Sequence, residues 1–274
     1  MSLRVAFQGE RGAYSHLAAQ ALLGASIELL PCASFDEVFE AVASGSADRG
    51  VVPVENSLAG TIHRVYDLLL RHPLHLVGEH ALRVAHSLIA APGVTLADVR
   101  VVLSHPQALA QCEHQLRALG LVGEVAYDTA GAVKLLAESG RRDAAALASP
   151  LAAEVYGMQV LREEMQDHEH NFTRFAVLSR EPLTERPPGD LKVSVALSLQ
   201  NEPGALFKAL AVFALRNLDL TKIESRPLPG RAWEYLFYVD FVTDDFAGKG
   251  QRALGHLEEI CGMLKLLGVY PRRV

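Results

Sequence analysis

Short apolar strands alternate with amphipathic helices over the first 180 residues, and this alternation constrains the fold more than any other feature. Strands are predicted at Arg4–Gln8, Gly50–Val54, Arg100–Ser104 and Ala144–Ala148. Helices are predicted at Tyr14–Leu23, Thr61–Leu70, Gln107–Leu119 and Thr129–Ser139. Such alternation favours an α/β fold in which helices cover both faces of a sheet. Sheets of this kind bind ligands in a crevice at the carboxyl ends of their strands.

The alternation stops at residues 181–190, where Pro182, Pro187, Pro188 and Gly189 predict a linker. Beyond it, apolar residues alternate with small ones from Val193 to Leu199, which predicts a half-buried strand.

The remaining elements complete a second, smaller domain. They are a helix opened by Pro203, strands at Leu218–Ser225 and Trp233–Thr243, a helix at Gln251–Cys261 and a strand at Leu264–Tyr270. The order βαββαβ is that of a ferredoxin-like unit. We therefore predict a domain over residues 1–180, a linker over 181–190 and a second domain over 191–274.

Composition excludes several classes of protein. The formal net charge is -6 and no basic patch stands out, which argues against a nucleic-acid partner. No apolar run approaches the roughly 18 residues of a membrane helix, and the first residues resemble a strand rather than a leader peptide. The three cysteines, Cys32, Cys112 and Cys261, lie far apart, which predicts no metal site and a reducing, cytoplasmic location.

Polar side chains follow the strand that ends near Val54. Glu55, Asn56 and Ser57 lie where the crevice is expected, in a segment that ends at Gly60. Taken alone, a polar turn that caps a helix is the simpler interpretation.

A second polar segment begins with Ser104 and His105. Ser104 is predicted to cap a helix with Pro106 in its first turn. Gln107 and Gln111 are four residues apart and share one helix face, where two amides can orient a polar ligand. The spacing alone favours a capped surface helix.

A third segment places Thr173 and Arg174 between Phe172 and Phe175 at the start of a strand. A planar, permanently charged guanidinium suits a carboxylate. The alternative is an edge strand with an exposed polar pair.

Two segments in the second domain form a separate group, Asn201–Leu206 and Glu224–Pro227. Gly204 is predicted in the first turn of a helix, where glycine costs about 1 kcal/mol against alanine. That cost is understandable if a ligand or another backbone approaches closely there.

Together, these segments resemble the motifs of prephenate dehydratases, and the resemblance covers almost the whole chain. Residues 7–16, Val52–Gly60, Ser104–Cys112 and Asn171–Phe175 are similar to the motifs of its catalytic domain, and residues 191–270 are similar to an ACT domain. The resemblance implies a two-lobed catalytic domain of the type II periplasmic-binding-protein fold, followed by a ferredoxin-like ACT domain. It also implies a homodimer or homotetramer, phenylalanine feedback and no cofactor.

The resemblance assigns departure of the substrate hydroxyl to Thr173, helped by water or a neighbour such as His105. Arg174 is our candidate for the pyruvyl carboxylate of prephenate, because a bidentate cation fixes its orientation. Neutral Asn56, Ser104 and Gln111 suit the ring carboxylate, whose charge disperses as CO2 leaves.

Glu55, beside a dianionic substrate, is expected to pair with a cation or to orient Asn56. Ser57, Phe175 and Tyr14 complete the predicted substrate contacts, with His105 and Arg174.

The predicted phenylalanine contacts lie in the two C-terminal segments and are Asn201, Pro203, Gly204, Ala205, Leu206, Glu224, Ser225, Arg226 and Pro227. Phe207 stands where a smaller valine is common in the family, which leaves the response to phenylalanine open. Two other functions remain open as well. The chain can act as an arogenate dehydratase on the amino analogue, or as a non-catalytic sensor of aromatic acids.

Overall fold

The computed structural model describes residues 2–185, 189–228 and 234–273. It divides into two compact units. The first contains Met1–Gly60 and His80–Phe175, and the second contains Thr61–Glu79 and Ala176–Val274. The predicted domain boundaries at 180 and 191 stay a prediction. The structure adds that residues 61–79, from the N-terminal half of the sequence, group with the C-terminal residues.

The first part of the chain builds a mostly parallel sheet. Its elements are β1 Leu3–Gln8, α1 Tyr14–Leu23, β2 Ile27–Cys32, α2 Phe35–Ser44, β3 Arg49–Asn56, β4 Gly60–Thr61, α3 His63–Arg71 and β5 His75–Arg83. Strand β1 pairs in parallel with both β2 and β3. The Ser34 side chain caps α2 by accepting from the Glu37 N–H.

A second sheet follows in the same unit. Its elements are β6 Ser87–Ala90, β7 Val101–Ser104, α4 Pro106–Gln111, α5 Glu113–Ala118, β8 Val122–Val125, α6 Thr129–Ser139, β9 Ala144–Ala148, α7 Pro150–Tyr156 and β10 Gln159–Arg162. The sheet has the order β10-β6-β9-β7-β8. The next strand, β11 Phe172–Ser179, belongs to the first sheet, beside β3. The prediction of a mixed α/β fold is confirmed, and the described residues form two sheets.

The prediction of one continuous helix over residues 107–119 was wrong. Residues 107–119 form two short helices, α4 and α5, because Cys112 leaves the helical region with φ -119° and ψ 14°. Cys112 lies between the two helices, and its side chain is buried.

The C-terminal part has the predicted βαββαβ order. Its elements are β12 Leu191–Leu199, α8 Ala205–Ala214, β13 Asp219–Pro227, β14 Tyr235–Thr243, a π-helical turn Phe246–Gly250, α9 Gln251–Ile260 and β15 Met263–Pro271. Its antiparallel strands lie in the order β13-β14-β12-β15, the ferredoxin-like arrangement. Trp233, Pro187 and Pro188, which entered the predicted strand and linker, lie outside the described residues.

Strand β12 is buried on both faces, so the prediction of a half-buried strand was wrong. Residues of β12 from Leu191 to Leu199 pack with Val212, Phe213 and Leu257 of α8 and α9 on one face. Helix α3 covers the other face, where the rings of Tyr66 and Tyr238 lie 4.7 Å apart. The covering helix comes from residues more than 100 positions earlier, so local alternation carries no sign of it.

The helices of the described residues are all too short or too polar to span a membrane.

Candidate active site

Asn56, the last residue of β3, is buried, and the backbone fixes the orientation of its amide. Its Oδ1 accepts from the N–H groups of Leu58 at 3.0 Å and Ala59 at 2.9 Å. Its Nδ2 lies 3.2 Å from the Phe172 carbonyl oxygen. Because backbone N–H groups only donate and carbonyls only accept, the Asn56 oxygen and nitrogen have one consistent assignment.

That assignment fixes the direction of a longer chain of hydrogen bonds. Asn56 Nδ2 donates to Thr173 Oγ1 at 3.0 Å and to Asn171 Oδ1 at 2.8 Å. Asn171 Nδ2 must then donate to Gln111 Oε1, 3.2 Å away, and the same oxygen lies 3.0 Å from His86 Nε2. His86 therefore carries a proton on Nε2. We call these five residues the amide chain.

The far end of the amide chain is buried and neutral. His86 Nδ1 lies 2.9 Å from the Tyr14 hydroxyl, which also lies 2.7 Å from the Ala85 carbonyl oxygen. Burial lowers the pKa of His86, against a smaller opposite effect of its bond to Gln111. Burial likewise raises the pKa of Tyr14 well above its ordinary value. Both groups consequently keep their neutral forms near pH 7.

Two donors of the amide chain remain available for a ligand. Thr173 Oγ1 accepts from Asn56, and no described residue accepts its hydroxyl proton. Similarly, no described residue accepts from the amide nitrogen of Gln111, whose oxygen is doubly engaged. The arrangement supplies directed, uncharged hydrogen-bond donors.

Ser104 lies in the interior instead of lining the site. Its hydroxyl is fully buried and donates to the Leu147 carbonyl at 2.6 Å. The predicted helix cap also shifts by one residue, because His105 Nδ1 accepts from the Gln107 N–H at 3.2 Å. His105 thereby serves as a cap, and Ser104 joins β7 to β9.

Arg174 and Thr173 do not come together. Successive side chains of a strand point to opposite faces of the sheet, and the two residues are adjacent in β11. Arg174 instead pairs with Glu55, with Nη2 3.0 Å from Oε2. The expectation that Glu55 pairs with a cation is confirmed, and that cation is the residue we had placed on the substrate.

Ser57 and Phe175 have structural positions. Ser57 Oγ accepts from the Phe172 N–H at 2.9 Å and donates to the His170 carbonyl at 3.2 Å, joining β3 to the start of β11. Phe175 is 2% exposed and belongs to the core.

Sequence reasoning missed two members of the amide chain, His86 and Asn171. Asn171 adjoins the recognised Thr173 segment, and a buried asparagine beside a strand start is a usable signal. His86 lies in no motif and is 25 positions from Gln111, so only the fold reveals its role.

Nucleophilic and metal chemistry have little support in the part of the chain that the structure describes. Cys112 is buried, and burial raises the pKa of its thiol to about 12, so it is not a thiolate near pH 7. Within the same residues, no group of three or more histidine, cysteine, aspartate or glutamate side chains is placed to hold a metal ion.

The sequence profile described as prephenate dehydratase matches residues 5–183. The chain belongs to the prephenate dehydratase family. An Arabidopsis thaliana relative named arogenate dehydratase/prephenate dehydratase 2, chloroplastic, is 53% identical over 278 residues, which cover 98% of this chain and 73% of the relative. The family thus identifies the chain as a dehydratase of aromatic amino acid biosynthesis.

Two solved structures match the whole fold. Prephenate dehydratase from Arthrobacter aurescens in complex with L-Phe is 31% identical with a TM-score of 0.89, covering 98% of this chain and 90% of that one. GqqA, described as a novel type of quorum quenching acylase, is 39% identical with a TM-score of 0.91, covering 98% of both chains.

The prediction of a cytoplasmic location was wrong. Relatives of 53% and 46% identity are named chloroplastic. The prediction rested on unpaired cysteines. Cysteines of this kind indicate a reducing environment, which more than one compartment provides.

The C-terminal unit of this prephenate dehydratase family member contains the predicted effector residues, and those of the segment Glu224–Pro227 divide between the two faces of β13. Arg226 Nη1 pairs with Asp67 Oδ1 of α3 at 3.1 Å, and Glu224 Oε2 accepts from the Thr61 hydroxyl at 3.1 Å. Ser225 and Pro227 are exposed on the other face. Glu224 and Arg226 thus contact α3.

Gly204 precedes α8 rather than lying in its first turn. The helix begins at Ala205, and Gly204 has φ 82° and ψ 2°, a left-handed conformation that glycine adopts without strain. Its backbone geometry therefore explains the glycine without a ligand. Asn201 and Pro203 are exposed nearby, Ala205 is half-buried, and Leu206 and Phe207 are 40% and 75% exposed.

Proposed function

We propose that the chain converts prephenate to phenylpyruvate, with arogenate as the alternative substrate. The observation that carries the proposal is the hydroxyl of Thr173, which accepts from Asn56 and is left as a donor. In the reaction the ring carboxylate leaves as CO2, its bonding electrons enter the ring, and the ring hydroxyl leaves as water after gaining one proton. Aromatisation drives the reaction, so the main help required is a hydrogen bond or proton at the departing oxygen.

The neutral character of the amide chain suits this chemistry. Negative charge leaves the ring carboxylate as its C–C bond breaks, so a cation held there would stabilise the ground state more than the transition state. Asn56, Asn171 and Gln111 orient the donors through amides instead. Thr173 is too weak an acid to release its proton alone, so we assign it a positioned hydrogen bond, with the net proton coming from solvent.

Arg174 has weaker support than Thr173 as a substrate contact, because it lies on the opposite face of β11 and pairs with Glu55. We assign the Glu55–Arg174 pair to holding β3 and β11 in register beside Asn56. The group that binds the pyruvyl carboxylate is left unassigned.

The acylase described for GqqA is the competing activity. Acyl transfer by a serine, threonine or cysteine requires a base within hydrogen-bond reach of the nucleophile. In the described part of the site, Thr173 accepts from the Asn56 amide, Ser104 donates to the Leu147 carbonyl, and Cys112 is buried. These contacts favour dehydration.

The experiment is a steady-state assay with prephenate and arogenate side by side, following phenylpyruvate by ultraviolet absorbance and phenylalanine by chromatography. Turnover of either acid supports the proposal, and the ratio of kcat/KM values identifies the substrate. Tight binding of prephenate without product would instead indicate a sensor of aromatic acids.

We further propose that the C-terminal βαββαβ unit is an ACT domain through which L-phenylalanine inhibits the enzyme. Support comes from its sheet order and from the related prephenate dehydratase solved with L-Phe. Calorimetry with wild type and with Gly204→Asn tests the site, because asparagine tolerates the left-handed conformation while adding bulk. Unchanged phenylalanine binding by the variant would move the effector site elsewhere.

A homodimer or homotetramer is part of this proposal. The C-terminal unit exposes large apolar side chains, among them Leu206, Phe207 and Leu215, the last at 80%. Exposed apolar groups of this size favour burial against another surface. Light scattering of wild type and Phe207→Glu tests whether they lie in a subunit contact.

A further inference from the structure

We propose that His86 is a positioning residue for the dehydration, acting through Gln111. The inference rests on the proposed function. It adds one residue that lies outside the Thr173, Gln111 and Asn56 segments, and it specifies the position of one proton.

The argument begins at the fixed end of the amide chain. The backbone sets the amide of Asn56, and that setting passes through Asn171 to Gln111 by the rule that each contact needs one donor and one acceptor. The carbonyl oxygen of Gln111 must therefore face His86. A proton on His86 Nε2 gives that oxygen a second hydrogen bond and leaves the Gln111 amide nitrogen as the free donor.

The other neutral tautomer breaks this pattern. With the proton on Nδ1, the Nε2 lone pair would face the Gln111 oxygen, and two acceptors would oppose each other. Rotation of the Gln111 amide would relieve that contact but would place its nitrogen against the Asn171 nitrogen, which is also a donor. Either outcome removes a hydrogen bond or turns the free donor of Gln111 away.

Tyr14 lies at the other ring nitrogen of His86. Its single hydroxyl proton goes to the Ala85 carbonyl oxygen at 2.7 Å, and its oxygen lies 2.9 Å from His86 Nδ1. His86 is 2% exposed, so its ring is shielded from solvent and the amide chain decides which nitrogen carries the proton.

Two variants of similar size distinguish the roles of the two ring nitrogens of His86. His86→Gln extends an amide to the position of Nε2 and can donate to Gln111, whereas the shorter His86→Asn reaches only toward Tyr14. We expect His86→Asn to lower kcat about 10- to 100-fold with KM within about threefold, less than the 10²- to 10³-fold typical of losing a donor at the reacting atoms. His86→Gln should retain kcat within about threefold. Melting temperatures of both variants control for folding.

The tautomer itself is measured without turnover. In protein containing 15N-labelled histidine, long-range 15N–1H spectra distinguish a protonated Nε2 from a protonated Nδ1, and His86→Gln assigns the signal. We expect Nε2–H in wild type.

Distinct results would overturn the inference and the proposed function. Equal kcat values for His86→Gln and His86→Asn, or an Nδ1–H tautomer in wild type, would refute the role of His86. Failure to turn over both prephenate and arogenate would refute the proposed function, and the spectra would still decide the tautomer.

Discussion

The two compact units each contain a buried polar network, and the networks are built from different groups. The amide chain of the first unit is neutral, with amides, a hydroxyl and an uncharged imidazole. In the second unit, the layer between α3 and the C-terminal sheet is ionic, with the pairs Lys192–Glu79 and Arg226–Asp67. Lys265 adds a third cation, donating to the carbonyls of Leu69, Leu70 and His72 at the end of α3.

The difference teaches what each network is suited for. A chain of amides is directional, because each link fixes which atom donates, and it transmits orientation to a reacting group without adding charge. Ion pairs depend more on charge than on direction, and when a pair is buried, the loss of one partner lowers the stability of the fold. A site that releases CO2 from an anion is served by the first kind, and a helix that must stay on a sheet is served by the second.

The largest expected effect concerns the ionic layer. Lys192 Nζ lies 2.7 Å from Glu79 Oε1, and the two side chains are 5% and 1% exposed. Lys192→Met removes the cation from a buried ion pair and leaves the carboxylate of Glu79 charged, so the free energy of unfolding should fall by about 3–5 kcal/mol. Urea denaturation measures it.

The matched control is the double variant Lys192→Met with Glu79→Leu, which replaces both charges by apolar groups. It should recover most of the lost stability, since an apolar pair of similar volume often equals a buried ion pair. A double variant as unstable as the single one would show that packing, not charge, dominates this contact.

The second-largest expected effect concerns the amide chain. Thr173→Val keeps the shape and removes the free donor, so kcat should fall at least about 10²-fold while KM changes little. Thr173→Ser retains the hydroxyl and should keep much of the activity. An active valine variant in the phenylpyruvate assay would refute the role of Thr173.

The contrast between the two networks also shows how far the sequence alone leads. Both the α/β alternation and the βαββαβ order follow from local periodicity, and Asn56, Gln111 and Thr173 were recognisable in their segments. The position of Arg174 was also within reach, since neighbours in a strand point to opposite faces. His86 and the double burial of β12 were not, because each depends on residues brought from distant positions by the fold.

A smaller effect links the ionic layer to the proposed phenylalanine inhibition. Arg226 contacts Asp67 of α3, and Glu224 of the same strand contacts Thr61, which follows Asn56 by five positions in the chain. Inhibition of this type corresponds to about 1–3 kcal/mol of coupling, or roughly 5- to 150-fold in affinity. Arg226→Gln should reduce that factor while leaving uninhibited kcat unchanged.

Asp67→Asn is the matched variant for this prediction, because it removes the same ion pair from the α3 side. Phenylalanine titrations of activity should give similar losses for both variants, and no additional loss when they are combined. If only Arg226→Gln responds, the arginine acts on the ligand directly and not through α3.

The smallest expected effect is the dependence of stability on pH, and it comes from buried histidines. Burial lowers the pKa of both His16 and His86. Below the unfolded pKa of about 6.5, the unfolded chain binds protons that the folded chain does not, so the free energy of unfolding falls as pH decreases from there. The slope is at most about 1.4 kcal/mol per pH unit for each histidine.

Carboxyl groups change the stability only in a lower pH range, which makes the effect of the histidines measurable. The carboxyl groups whose pKa is lowered by hydrogen bonds are Asp98, Asp143, Glu164 and Asp245. Their contribution is complete above an unfolded pKa of about 4 and is lost only below it. Urea denaturation between pH 7.5 and 5.5 should therefore report the histidines. His86→Gln should show a shallower decline than wild type, because glutamine takes up no proton on unfolding. Equal slopes would mean that His86 is already protonated in the folded protein.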